Sequence, residues 1–122
     1  MKEISPQLQN QIAQYQQLQQ QLQVLGSQRI QLEAKLREIE GTLEELGKLA
    51  TDTPIYKSIG MLLVRQEDRN ALRTELEEHK ETLTIRVRSL QKQEKSLTER
   101  YEQLGEKIQQ ALGSGSQEPK GG

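Results

Sequence analysis

Chemistry in this chain would have to start at its one histidine, His79, and the carboxylates beside it. Glu75, Glu77, Glu78 and Glu81 all fall within one turn or so of that ring. An imidazole with carboxylates could move protons or hold a divalent metal. A metal site needs further ligands converging from elsewhere, and the chain has no second His and no Cys. The acidic run therefore reads as a solvated helix face. The stretch "RVRSLQKQEK" carries Arg86, Arg88, Lys92 and Lys95, which could meet a phosphate backbone, but Glu94 and its acidic neighbours dilute it. It too reads as a solvated face. No Gly-rich phosphate loop and no nucleophile elbow is present. The expectation is a protein that is not an enzyme and needs no metal or cofactor.

The chain has 122 residues, 17 of them basic and 18 acidic, for a net charge of −1. The signs are balanced in both halves, which argues against nucleic acid and against an anionic membrane as partners. The absence of Cys removes disulfide and thiolate chemistry and suits a cytoplasmic protein. The opening "MKEISPQLQN" lacks the apolar core of a signal peptide, and no run approaches transmembrane length. Only 32% of residues are hydrophobic and 2% aromatic, with no Phe or Trp, too little for an ordinary globular core. The apolar residues are mostly Leu and they are periodic. That pattern predicts long helices that each bury a narrow seam.

The seam can be written out. Ser5-Pro6 is a helix start, with Ser as N-cap and Pro in the first turn. One column then holds Leu8, Tyr15, Leu22, Arg29, Leu36 and Leu43, and the other Gln11, Leu18, Leu25, Leu32, Ile39 and Leu46; ten of the twelve are apolar. The period is that of a coiled coil. Thr53-Pro54 predicts that the helix stops by about residue 50. A second register follows, with Arg73, Lys80, Val87, Glu94, Tyr101 and Ile108 in one column and Leu76, Leu83, Leu90, Leu97, Leu104 and Ala111 in the other; nine of the twelve are apolar. The predicted elements are a helix over 5–50, a β-hairpin over 54–65 and a helix over 67–112, forming one domain over 1–112. The Gly/Ser-rich 113–122 is expected as a flexible tail.

The two seams are equal in length, and folding the chain back at residues 59–60 superimposes them. The fold class expected is mostly α: a long antiparallel two-helix coiled coil with one central β-hairpin. Each arm would span roughly 60 Å at 1.5 Å per residue. Arg29, Lys80 and Glu94 interrupt the seam. They either reach outward and fix register, or they tune the arm to bend, together with Gly26 and Gly105 near the free ends.

At the midpoint stands "PIYKSIGMLLV". It favours strand, with a turn near Gly60–Met61. An isolated two-stranded hairpin is marginal in water, and apolar residues on both faces need cover that one coiled coil cannot supply. Other subunits adding strands would supply it.

Helix, hairpin, helix of equal length resembles the prefoldin family of ATP-independent chaperones, beta class, in its archaeal form. The resemblance rests on "IYKSIGMLLVRQED" for the hairpin, "LQKQEKSLTERYEQL" for the second helix and "QLQNQIAQYQQLQQQLQ" for the first. It covers roughly residues 5–112, and the single hairpin marks the beta class. The resemblance implies a hexamer of two alpha and four beta subunits whose hairpins join into oligomeric β-barrels. It also implies coiled-coil tips that hold unfolded polypeptide and deliver it to a group II chaperonin. Ile55, Tyr56, Ile59, Gly60, Met61, Leu62, Leu63 and Val64 would then form the assembly joint. At the tips, Ile4, Leu8, Ile12, Leu104, Ile108, Ala111 and Leu112 are the apolar candidates for client binding, because terminal turns lack neighbours and fray. The competing expectation is a structural coiled-coil spacer or oligomerisation protein with no client.

Overall fold

The computed structural model describes residues 4–121, with side chains described for 4–113. The order is α1 (Pro6–Lys48), β1 (Tyr56–Ile59), β2 (Leu62–Arg65) and α2 (Arg69–Gly121). Ser5 caps α1: its hydroxyl accepts from the Leu8 amide at 3.1 Å. Asp68 caps α2 in the same way, accepting from the Ala71 amide at 3.0 Å. An N-cap residue is not itself helical, which is why α2 opens at Arg69 rather than at 67. At its other end the α2 backbone is helical to Gly121. The side chains of the expected tail, from residue 114 on, lie outside the described residues.

The described chain forms two compact units. Unit 1 joins the part of α1 up to Arg29 with α2 from Ser89 onward. Tyr15 stacks on Tyr101, and Arg29 pairs with Glu94 across the seam. As numbering rises along α1 it falls along α2, so the two segments run antiparallel. Unit 2 spans Ile30–Arg88 and contains the hairpin. There Lys80 reaches Glu40 at 3.8 Å, and Arg69 reaches the end of α1, again with opposed directions. Arg29 and Glu94 thus pair with each other across the seam, while Lys80 meets Glu40 at a partly exposed position.

The heptad columns describe the buried seam closely. Of the twenty-four column positions, Ala111 alone is exposed; every other one is buried or half-buried. Burial is uneven, however. Leu32, Ile39, Leu46, Leu83 and Val87 are the buried apolar residues of unit 2, whereas unit 1 has Leu18. Apolar area removed from water is worth about 25 cal/mol per Å², so unit 2 holds its helices more tightly than unit 1.

β1 and β2 pair antiparallel, with Tyr56 opposite Arg65, Lys57 opposite Val64, Ser58 opposite Leu63 and Ile59 opposite Leu62. The turn is the two residues Gly60-Met61. Gly60 has φ +56° and no non-Gly described residue has positive φ. Positive φ at the first central residue alone is the type II′ pattern, whose twist matches the flanking strands.

Candidate functional site

The register assigns the hairpin's faces. Opposed residues of an antiparallel pair share a face, so Tyr56, Ser58, Leu63 and Arg65 lie on one side. Lys57, Ile59, Leu62 and Val64 lie on the other. The Lys57 face is turned toward α2, because the Lys57 ammonium donates to Glu75 Oε1 at 2.6 Å. Near that root Ile55 and Lys57 are half-buried. Ile59 and Leu62, close to the turn, lie beyond the helix and remain exposed, as do Tyr56 and Leu63 on the open face.

The backbone adds a second feature. The pairs flanking a two-residue turn exchange hydrogen bonds, and the pattern then alternates. The Gln66 amide donates to the Ile55 carbonyl at 2.8 Å, in phase with that alternation. It follows that the amides and carbonyls of Tyr56 and Ser58 point away from β2, and those of Leu63 and Arg65 away from β1. Both edges of the sheet offer main-chain groups, because the sheet has two strands.

Twelve large apolar residues are exposed among the described residues, and six of them fall between Tyr56 and Val64. Met61 is fully exposed and Leu63 is 74% exposed. Single exposed apolar residues are ordinary; six within one short hairpin form a patch. The structure brings together all eight residues expected at the assembly joint, with Gly60 supplying the turn.

The residues expected at the tip all belong to unit 1. Ile4, Ala111 and Leu112 are exposed, while Leu8, Ile12, Leu104 and Ile108 are half-buried. The group is graded, open at the helix ends and partly closed one to two turns inward. The Tyr15–Tyr101 pair lies at the inward boundary, with ring centroids 4.2 Å apart and planes 13° from parallel. Gly105 belongs to the same layer, since a Cβ there would stand 3.0 Å from Tyr15 Cε1. The close approach of that ring gives Gly105 a packing reason for its place in the helix.

The Tyr101 phenol is held above the ordinary tyrosine range, first by a hydrogen bond with Tyr15 and then by desolvation. The folded value exceeds the unfolded one. The stabilisation is therefore fully present below about pH 10 and is lost as pH rises through the raised value. A tyrosinate absorbance titration is expected to show a late-ionising component that disappears in Tyr101→Phe. A late component that survives in Tyr101→Phe would contradict this.

Sequence reasoning missed two contacts that hold the hairpin: the Lys57–Glu75 pair and the reach of Arg69 to the end of α1. A weak signal existed for the second. A cation at the first position of a helix opposes the helix dipole and so calls for a partner elsewhere. His79 is exposed. Among the described residues no group of three His, Cys, Asp or Glu side chains could hold a metal. No helix among them is long and apolar enough to cross a membrane.

Comparison with known proteins gives a consistent result. The family model described as prefoldin subunit matches residues 9–115. Prefoldin subunit beta of Archaeoglobus fulgidus is 48% identical over 112 residues, covering 92% of this chain and 96% of that one. The beta subunit of Methanosarcina acetivorans is 46% identical over 115 residues, covering 94% and 97%. The crystal structure of the prefoldin beta subunit from Thermococcus strain KS-1 superimposes with a TM-score of 0.83 at 37% identity, over 92% of this chain and 97% of that one.

Proposed function

Since the chain belongs to the prefoldin family and is similar throughout to its beta subunits, we propose that it captures unfolded polypeptides at the ends of its coiled coil. It does so as part of a cytoplasmic hexamer of two alpha and four beta subunits. It passes those clients to a group II chaperonin without ATP or a cofactor. Residues 1–112 act as one functional domain. Ile55, Tyr56, Ile59, Gly60, Met61, Leu62, Leu63 and Val64 join the neighbouring subunits' strands into β-barrels. Ile4, Leu8, Ile12, Leu104, Ile108, Ala111 and Leu112 meet the client.

The observation that carries this reading is the placement of exposed apolar surface. It gathers in the hairpin, and at the helix ends in unit 1 Ile4, Ala111 and Leu112 stand exposed above the half-buried Leu8, Ile12, Leu104 and Ile108. Apolar contacts without fixed geometry suit many clients weakly, and several arms on one client add avidity. A spacer protein has no use for a six-residue apolar patch on a short hairpin.

The test is a light-scattering assay of a denatured client with the assembled hexamer. The variant combines Ile4→Ser, Ile12→Ser, Ile108→Ser and Leu112→Ser in every beta subunit. The hexamer is expected to form normally and its protection to fall about tenfold, each buried apolar side chain being worth about 1.5–3 kcal/mol when fully covered. Undiminished protection by the intact variant hexamer would remove the helix ends as the client site.

A further inference from the structure

Two short links tie the hairpin to the helices, residues 49–55 before β1 and 66–68 after β2. Links of this kind would let a two-stranded sheet swing unless something braces them. Arg69, the first residue of α2, provides the brace. Its guanidinium donates to the Leu49 carbonyl at 3.1 Å, to the Ala50 carbonyl at 2.6 Å and to the Thr53 carbonyl at 3.4 Å. Leu49 and Ala50 follow directly on α1, where carbonyls have no helical donor of their own. Thr53 closes a turn there, its amide donating to the Ala50 carbonyl at 3.0 Å. One planar fork thus ties three carbonyls of the link leaving α1 to the residue that begins α2. A lysine has one point of charge and no fork with which to do the same.

The charges fit this geometry. A cation complements the negative end of α1 but opposes the positive start of α2. The Asp68 carboxylate, accepting from the Ala71 amide, supplies the compensating anion. On the strand side, Lys57 to Glu75 ties β1 to α2 at 2.6 Å. β1 is therefore braced at its root twice, through the link before it and through its Lys57 side chain, and β2 is held to it by strand pairing.

We infer that Arg69 is the positioning residue of the assembly joint: by locking the end of α1 to the start of α2 it sets the direction in which the hairpin's open face and free edges are presented. This rests on the reading of the hairpin as a joint. Adding a strand to an edge requires donors and acceptors to meet within a few tenths of an ångström and within a narrow angle. A hairpin free to swing pays an ordering cost at every association.

The experiment uses the full chain as Arg69→Ala and Arg69→Lys, with Leu63→Asp as the control for the joint itself. Hydrogen exchange is read on the isolated chain and hexamer formation with an alpha-class partner by native mass spectrometry. In Arg69→Ala, amides of Lys57, Ile59, Leu62 and Val64 are expected to exchange about tenfold faster, while seam amides at Leu32, Ile39, Leu83 and Val87 change less than about twofold. The concentration for half-assembly is expected to rise about tenfold, and Arg69→Lys to recover part of that loss. Arg69→Ala that assembles at the wild-type concentration would overturn the inference. So would exchange that rises equally in the seam, since Arg69 would then serve general stability. Leu63→Asp that assembles normally would instead remove the joint reading on which the inference stands.

Discussion

Leu83→Ala is expected to lower the unfolding free energy of the chain by about 3 kcal/mol, the middle of the range for emptying a buried leucine site. Leu83 is 4% exposed, as deeply buried as any residue described. It shares unit 2 with Leu32, Ile39, Leu46 and Val87. A two-helix seam has no second layer behind it, so the helices can close over the missing atoms only by shifting the register that all five residues share. Against a typical total of about 5–15 kcal/mol, that is a large fraction. For a chain of this size the melting temperature is expected to fall by about 10 °C. Leu104 occupies the equivalent column in unit 1 but is half-buried. Leu104→Ala is expected to cost about 1 kcal/mol, since less area leaves water there. Thermal unfolding followed by helical circular dichroism separates the two variants. Equal shifts would mean that the seam is uniformly tight, and the graded burial that opens the helix ends would lose its energetic basis.

That grading was not readable from the heptads, although nearly all of the seam was. A period of 3.5 residues states which side chains face the partner helix, and column after column proved non-exposed, through Arg29, Lys80 and Glu94 as well as the leucines. It does not state how closely the helices approach at each layer, because that depends on which residues meet. Tyr15 on Tyr101, with Gly105 making room for the ring, is a product of the antiparallel register, and neither strand of sequence contains it alone. The same holds for Arg29 with Glu94, two interruptions of separate seams that become one ion pair. The hairpin was more legible. Gly60 marked the turn, and apolar residues on both faces were evident, but which residue falls on which face came only from the register. Its bracing was hidden because Arg69 and Lys57 act over 16 to 20 residues, beyond any local pattern. The apolar residues near the helix ends were legible in the sequence. Their exposure depends on fraying and packing together, which sequence spacing does not report.

Leu63→Asp carries the second large effect, and it tests the joint without touching the subunit. Leu63 is 74% exposed on the open face of the hairpin, and exposed substitutions away from special features change stability by about 0.5 kcal/mol or less. Helicity and melting of the isolated chain are therefore expected to stay as they are. The position changes character if neighbouring strands extend the sheet, because its side chain then enters an apolar interface. A carboxylate left without a partner there costs several kcal/mol, and each 1.4 kcal/mol is tenfold in association. Hexamer formation with an alpha-class partner is expected to weaken by more than about a hundredfold. Val24→Asp provides the contrast, because Val24 is also exposed, at 56%, but lies on α1 in unit 1. It loses an apolar surface residue of similar kind and is expected to assemble normally. Native mass spectrometry of the two variants then asks whether assembly depends on the hairpin or on surface hydrophobicity at large. If Leu63→Asp and Val24→Asp weaken the hexamer alike, the patch is not the joint. If Leu63→Asp alone abolishes it while the chain still melts as wild type, the apolar surface on the hairpin is accounted for by subunit contact.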